Sequence, residues 1–171
     1  MDQVDQVDQV DVYTVYDSPV GELCLTGAES PDGFVLTALS LPGRRGSRTV
    51  RADRPFAEAV RRLDAYFGGR CTRFDLPCAA PGTEFQQQVW RALDDIPYGT
   101  TTTYGELAAR LGVPRSEIRA VGAAVGANPL LVIRPCHRVI GADGSMRGYA
   151  GGVENKVRLL THEGALQPML G

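Results

Sequence analysis

The stretch TYGELAARLGVPRSEIRAVGAAVGA, residues 103–127, decides the fold of the second half of the chain. Thr103 and Glu106 have the spacing of a capping box, in which each side chain bonds the other residue's backbone N–H at the start of a helix. Leu107 and Leu111 give that helix a buried face, and Gly112-Val113-Pro114 stops it. A second helix is expected between Ser116 and Ala127. Two short helices joined by a tight Gly/Pro turn make a helix-turn-helix, a motif found in DNA-binding proteins and also in proteins that bind no DNA. Wound as an α-helix, the second segment has two unlike faces. Ile118, Val121 and Val125 cluster on one side and are expected in the core. Arg119, Gly122, Ala123, Gly126 and Ala127 fall on the other, a stripe of nearly bare backbone behind one arginine. Each interior glycine costs about 1 kcal/mol relative to alanine. Two of them on one face point to close approach by something bulky, either another helix or a nucleic-acid backbone.

Upstream, Thr83 and Gln86 repeat the capping-box spacing, and Phe85, Val89, Trp90 and Leu93 form an apolar stripe behind them. Residues 77–82, rich in Pro, Ala and Gly, read as a linker between two domains. From Val12 to about Leu41, short runs of Val, Leu, Thr and Tyr alternate with the turn sequences Ser18-Pro19-Val20-Gly21 and Ser30-Pro31-Asp32-Gly33, which predicts a small antiparallel sheet. Phe56, Val60, Leu63 and Phe67 then recur with helical period between Pro55 and Gly68-Gly69, predicting an amphipathic helix over one face of that sheet. Asp-Gln-Val, repeated three times before Asp11, offers little apolar surface to offset its ordering entropy and reads as a flexible tail. The expected organisation is α+β: a tail over 1–11, an N-terminal domain of sheet plus helix over 12–78, and a helical domain containing the helix-turn-helix over 83–171.

A chain of 171 residues with 43% hydrophobic content can bury a real core, so disorder is excluded as the overall reading. The net charge is only -2, so any DNA-binding face must be local. Cysteines stand at 24, 71, 78 and 136 without CxxC pairs or zinc-type histidine spacing, so no metal site is expected. Free thiols suit a reducing compartment. With no membrane-length apolar run and no secretory signal pattern, a cytoplasmic protein without membrane contact is expected.

The chemistry gathers at Pro135-Cys136-His137-Arg138, where a thiol, an imidazole and a guanidinium are adjacent. Cysteine attacks as the thiolate, and a neighbouring His or Arg can lower its pKa by one to several units. A lone cysteine is equally often a small buried hydrophobe. Leu131 to Arg134 reads as a short extended segment, in which alternate residues share a side. On that geometry Arg134 and Cys136 project together, and Cys136 reaches His137 only if the backbone turns. Pro135 and Asn128-Pro129 are placed to set such a turn. Glu163 ends a helix expected over 154–163, before Gly164. It is either a surface carboxylate or the group that orients His137 in a relay.

Taken together, Ile96-Pro97-Tyr98-Gly99, Tyr104, Arg119-Ala120-Val121-Gly122, Asn128-Pro129, Pro135-Cys136-His137-Arg138-Val139-Ile140, Gly148-Tyr149-Ala150-Gly151-Gly152, Lys156 and His162-Glu163-Gly164 resemble the O6-alkylguanine-DNA alkyltransferase family. The resemblance implies direct DNA repair, with one alkyl group moved from O6-alkylguanine, and from O4-alkylthymine, to Cys136 in a single turnover that requires no cofactor. It implies catalytic roles for Cys136, His137, Glu163, Tyr104 and Asn128. The implied DNA-contacting set is Arg119, Ala120, Gly122, Ala123 and Gly126, with α-helical docking in the minor groove and Arg119 filling the gap left by a flipped nucleotide. Tyr149, Ala150, Val139 and Lys156 are implied to form the base pocket. Double-stranded DNA is the implied partner of a monomer, with cooperative binding along DNA as an open possibility.

Departures from the family are also legible. Arg134 replaces a residue that is usually apolar, Gly126 stands where some members carry arginine, and one extra residue separates Tyr104 from Arg119. The zinc ligands of some members have no counterpart. Two rival readings are a non-catalytic alkyl-lesion sensor, which would lack the reactive cysteine, and a cysteine hydrolase using Cys136, His162 and Asn128. The hydrolase has no evident oxyanion-hole signature and no use for a bare helix face.

Overall fold

The computed structural model describes residues 11–40, 49–146 and 148–166. The expected tail over 1–11 lies outside them, apart from Asp11, which opens the first strand. The chain divides into two compact units, residues 1–80 and 81–171.

In the first unit β1 (Asp11–Ser18), β2 (Gly21–Ser30) and β3 (Gly33–Ser40) form an antiparallel meander. Both turns are built alike. Ser18 Oγ accepts from the Val20 N–H at 3.1 Å and donates to the Gly21 carbonyl at 2.6 Å, and Ser30 does the same for Asp32 and Gly33 at 3.3 and 2.7 Å. Gly21 and Gly33 close these turns at φ of 104° and 115°, values that favour glycine. The strands expected over 12–41 are antiparallel, and β4 (Thr49–Arg51), beyond that stretch, joins the edge of β1 in parallel, so the whole sheet is mixed. Three residues are too few for alternation to show in a sequence.

Helix α1 (Ala57–Phe67) follows a single tight turn at Arg54–Phe56 and covers the sheet. Phe56 meets Phe34 edge-on at 5.0 Å, Tyr16 stacks on Phe67 at 6.4 Å, and the Tyr16 hydroxyl donates to Asp64 at 2.6 Å. The buried stripe is Phe56, Ala59, Leu63 and Tyr66. It is rotated from the expected one, so that Val60 and Phe67 are only half-buried.

In the second unit both capping boxes form, Thr83 with Gln86 opening α2 (Glu84–Asp94) and Thr103 with Glu106 opening α3 (Tyr104–Arg110). Gly112 ends α3 at φ 70°, while the Gly112 and Val113 N–H groups bond the Ala109 and Ala108 carbonyls at 3.1 and 2.9 Å. A tight turn over Arg115–Glu117 then leads into α4 (Ile118–Gly126). The second helix of the motif therefore starts at Ile118 and not at Ser116, because the first turn after Pro114 is wound too tightly to be α-helical. Trp90 Nε1 donates to the Ala124 carbonyl at 2.9 Å and pins α2 to α4. Two short parallel strands, β5 (Thr102–Thr103) and β6 (Val139–Ile140), bring the start of α3 beside the segment that follows Cys136. Helix α5 (Val153–His162) completes the unit. Among the described residues no helix is long and apolar enough to cross a membrane.

Candidate active site

Helix α5 ends in a Schellman turn, with Gly164 at φ 77° and bonds from Gly164 N to Thr161 O at 3.1 Å and Ala165 N to Leu160 O at 2.9 Å. That turn places Glu163 at the C-cap with a fully buried carboxylate. A negative charge at the C-terminal end of a helix is disfavoured by the macrodipole, and burial adds a desolvation cost. Two partners offset both. Arg138 grips the carboxylate as a fork, Nε to Oε1 at 2.7 Å and Nη2 to Oε2 at 3.0 Å, and His137 Nε2 lies 2.8 Å from Oε2. The third arm of the guanidinium donates to the Ile96 carbonyl at 2.6 Å, and the group lies 5.6 Å from the centre of the Tyr98 ring. The loop Ile96-Pro97-Tyr98-Gly99 thus acts as the outer wall of the Arg138 and Glu163 pair.

Burial holds the His137 pKa below its ordinary value, and the nearby Arg138 and Lys156 push the same way against the pull of Glu163. The imidazole is therefore neutral. With Nε2 facing a carboxylate that is itself held by arginine, the assigned tautomer carries its proton on Nε2. Nδ1 is left as an acceptor, and it is buried with no hydrogen-bond partner among the described residues.

The segment before Cys136 is not extended, which corrects the sequence reading. Residues 131–133 form a turn closed by Ile133 N to Leu131 O at 2.7 Å and Arg134 N to Leu130 O at 2.9 Å, and Cys136–Arg138 is a second tight turn. Val132 sits in the left-handed region at φ 68°, where a β-branched residue is strained by roughly 1–3 kcal/mol. Asn128 organises this turn. Its Nδ2 reaches the Leu130 and Arg134 carbonyls at 3.3 Å each, and its Oδ1 accepts from the Leu130 N–H at 3.1 Å. The sequence reading missed the turn because Leu131, Val132 and Ile133 have the composition of a strand.

Cys136 itself is only 5% exposed. Burial pushes its thiol up to about 11, outweighing a hydrogen bond from Asn128 and the charges of Lys156 and Arg134. The expectation that neighbouring His and Arg lower this pKa is corrected, because the imidazole is neutral and Arg138 is committed to Glu163. Around the thiol, Lys156 is buried and donates from Nζ to the Val139 carbonyl at 2.6 Å. Tyr149 is buried with its ring 6.3 Å from that of His137, and burial raises its pKa, with the charge of Cys136 adding to the effect. Tyr104 is half-buried, and burial followed by the nearby Cys136 raises its pKa, so its hydroxyl stays protonated. A Cβ on Gly148, at φ 89°, would lie 3.0 Å from the Tyr104 hydroxyl, so only glycine brings this loop so close. Ala150 is exposed. Val139 is fully buried.

The α4 residues form a separate surface. Arg119, Ala120, Ala123 and Gly126 are exposed and Gly122 is half-buried, while Val121, Ala124 and Val125 face the core. A Cβ on Gly126 would meet nothing within 4 Å, and one on Gly122 would meet only the Tyr104 ring at 3.8 Å. Neither glycine is required by packing among the described residues, so the bare stripe is outward-facing. Gly122 also sets its inner end against Tyr104. His162, the histidine of the hydrolase reading, is half-buried in the last turn of α5.

Family models match both units: the ribonuclease-like domain of 6-O-methylguanine DNA methyltransferase over residues 12–80, and the DNA binding domain of the same family over residues 84–165. The chain belongs to the 6-O-methylguanine DNA methyltransferase family. It is similar to the methylated-DNA–protein-cysteine methyltransferase of Mycolicibacterium paratuberculosis, with 48% identity over 151 residues, 86% of this chain and 88% of the relative. For the corresponding protein of Methanosarcina acetivorans the identity is 44% over 155 residues, 88% of this chain and 97% of the relative. A crystal structure of Mycobacterium tuberculosis OGT in complex with DNA matches with a TM-score of 0.81 at 44% identity, covering 90% of this chain and 93% of that one.

A thiol raised by burial is protonated below its pKa, and its thiolate fraction climbs about tenfold per pH unit until that pKa is reached. Iodoacetamide labelling of Cys136, followed by peptide mass, is therefore expected to accelerate continuously above neutrality toward a midpoint near 11. A plateau below about pH 8 would mean a thiolate in the resting site and contradict this assignment.

Proposed function

We propose that this protein repairs DNA directly, moving an alkyl group from the O6 oxygen of guanine to Sγ of Cys136. What supports this reading is a buried thiol next in sequence to a buried, neutral imidazole. The Nε2 of His137 is fixed by Glu163, and its Nδ1 has no partner among the described residues. In the step, the Cys136 proton passes to His137 Nδ1 by way of a water molecule, and Sγ attacks the alkyl carbon in line with the C–O6 bond. An S–C bond forms and the C–O6 bond breaks. The electron pair is taken up by the purine, to which the protonated Tyr104 hydroxyl donates a hydrogen bond; water protonates the purine anion at N1, and His137 returns the proton it took to water. Unmodified guanine leaves. The same attack applies to O4-alkylthymine. The thioether has no good leaving group, so each molecule reacts once and needs no cofactor.

The O6 atom cannot be reached inside a stacked duplex, so the nucleotide must be flipped out. We assign that task to α4, docked in the minor groove, where the bare Gly122, Ala123 and Gly126 stripe allows close approach and Arg119 fills the gap in the stack. Tyr149, Ala150, Val139 and Lys156 border the space for the flipped base. One chain holds every group the reaction uses, which supports action as a monomer. Its cysteines form no disulfide among the described residues, in keeping with a reducing cytoplasm. A lesion sensor without chemistry would have no use for Cys136.

Incubation with excess O6-methylguanine DNA is expected to add the mass of one methyl group per molecule, mapped to Cys136. Continued turnover, or methylation of Cys24, Cys71 or Cys78 in its place, would overturn the mechanism.

The flipping role makes a separate prediction. Arg119→Ala should slow reaction with duplex DNA by about tenfold or more, the effect of losing roughly 1.4 kcal/mol, and leave reaction with free O6-alkylguanine base unchanged. Equal losses on the two substrates would place Arg119 in chemistry or folding.

A further inference from the structure

Arg134 is the side chain that neither the proposed reaction nor the family resemblance accounts for. Its guanidinium carbon lies 5.1 Å from the centre of the Trp90 ring, and its Nε is 3.6 Å from the Asp94 carboxylate, both on α2. From that position Nη1 reaches Asn128 Oδ1 at 3.4 Å, while Asn128 Nδ2 returns to the Arg134 carbonyl at 3.3 Å. The side chain is only 13% exposed. It is neither a solvated surface arginine nor a group aimed outward at a phosphate.

We propose that Arg134 is a positioning residue for the nucleophile: clamped between Trp90 and Asp94, its guanidinium braces Asn128 and the turn that presents Cys136. Asn128 bonds the Leu130 and Arg134 carbonyls of the turn and lies close enough to the thiol to favour its ionised form, so holding its amide in one orientation holds the segment that carries the sulfur. The side chain also supplies a fixed positive charge close enough to favour the thiolate. Lys156 on α5 acts in the same direction. Tyr104 on α3 and Tyr149 in the loop before α5 face the thiol un-ionised, and His137 is neutral. On α2, Asp94 opposes Arg134, and Asp95 stands beside Asp94. Among the described residues, Arg134 and Lys156 are thus the cations whose charge favours ionisation of Cys136.

This proposal rests on Cys136 being the acceptor, and its test keeps the two apart. The rate of alkyl transfer from free O6-benzylguanine is measured against pH for the natural protein, Arg134→Met and Arg134→Gln, with the modified residue mapped in each. Met keeps the apolar contact with Trp90 but loses charge and donor. Gln loses the charge and keeps a donor for Asn128. Both should shift the midpoint upward by roughly half a unit, about threefold in rate at neutral pH, and Met alone should also lower the high-pH plateau. If Arg134→Met folds poorly, the midpoint of Arg134→Gln still decides. Profiles that superimpose on the natural one, with all proteins alkylated at Cys136, overturn the positioning role. So does a loss confined to DNA substrate and sensitive to salt, which would make Arg134 a phosphate contact. Failure of the natural protein to modify Cys136 would instead overturn the acceptor assignment.

Discussion

The site depends on a carboxylate held at the wrong end of a helix. Glu163 caps the C-terminus of α5, where the helix dipole opposes it, and it is buried, where water cannot solvate it. Arg138 and His137 make that position tolerable, and in doing so they become fixed themselves. The fork of Arg138 also ties in the Ile96 carbonyl, so the loop after α2, the turn around Cys136 and the end of α5 share one polar knot. Removing Arg138 or Glu163 would leave the other's buried charge unpaired, a change that typically costs 3–5 kcal/mol. The knot is structural and chemical at once, because the bond that satisfies Glu163 also selects the His137 tautomer.

The second constraint is dryness. Burial pushes the Cys136 thiol up to about 11, so the resting protein carries an inert S–H and not a standing thiolate. For a reagent that can react only once, this protects the nucleophile from stray electrophiles. In the proposed reaction, ionisation is deferred until substrate fills the pocket and the proton can move to the neutral His137. Low polarity then becomes an advantage, since a thiolate formed there is poorly solvated and every charge near it acts at low dielectric. Lys156 and Arg134 lie within reach of that charge.

Much of this was legible in the sequence where local chemistry decides structure. The two capping boxes, the glycine stop at Gly112 and the exposed side of α4 follow from side-chain spacing, and the structure contains all of them. The adjacency of Cys136 and His137 was visible, and so was Glu163 just before a helix-ending glycine. The turn at residues 130–134 was not, because Leu131, Val132 and Ile133 carry β propensity. Its cause is Asn128, whose amide bonds lie across residues that a strand would hold apart. The direction of the Cys136 shift was also hidden, since the sequence shows neighbouring charges and does not show burial. Arg138 was read as a neighbour of the thiol, yet its partner is Glu163, 25 positions away. The α1 stripe was displaced by Tyr66, whose ring takes the core position expected for Phe67.

Alkyl transfer as proposed requires His137 to be a neutral base with its proton on Nε2. Nitrogen-15 NMR of the histidine ring, followed across pH in the unreacted protein, reads this directly. The expected result is a proton on Nε2, a bare Nδ1, and no protonation of the ring at neutral pH, because burial holds its pKa below the ordinary value. An imidazolium at neutral pH, or the proton on Nδ1, would contradict it.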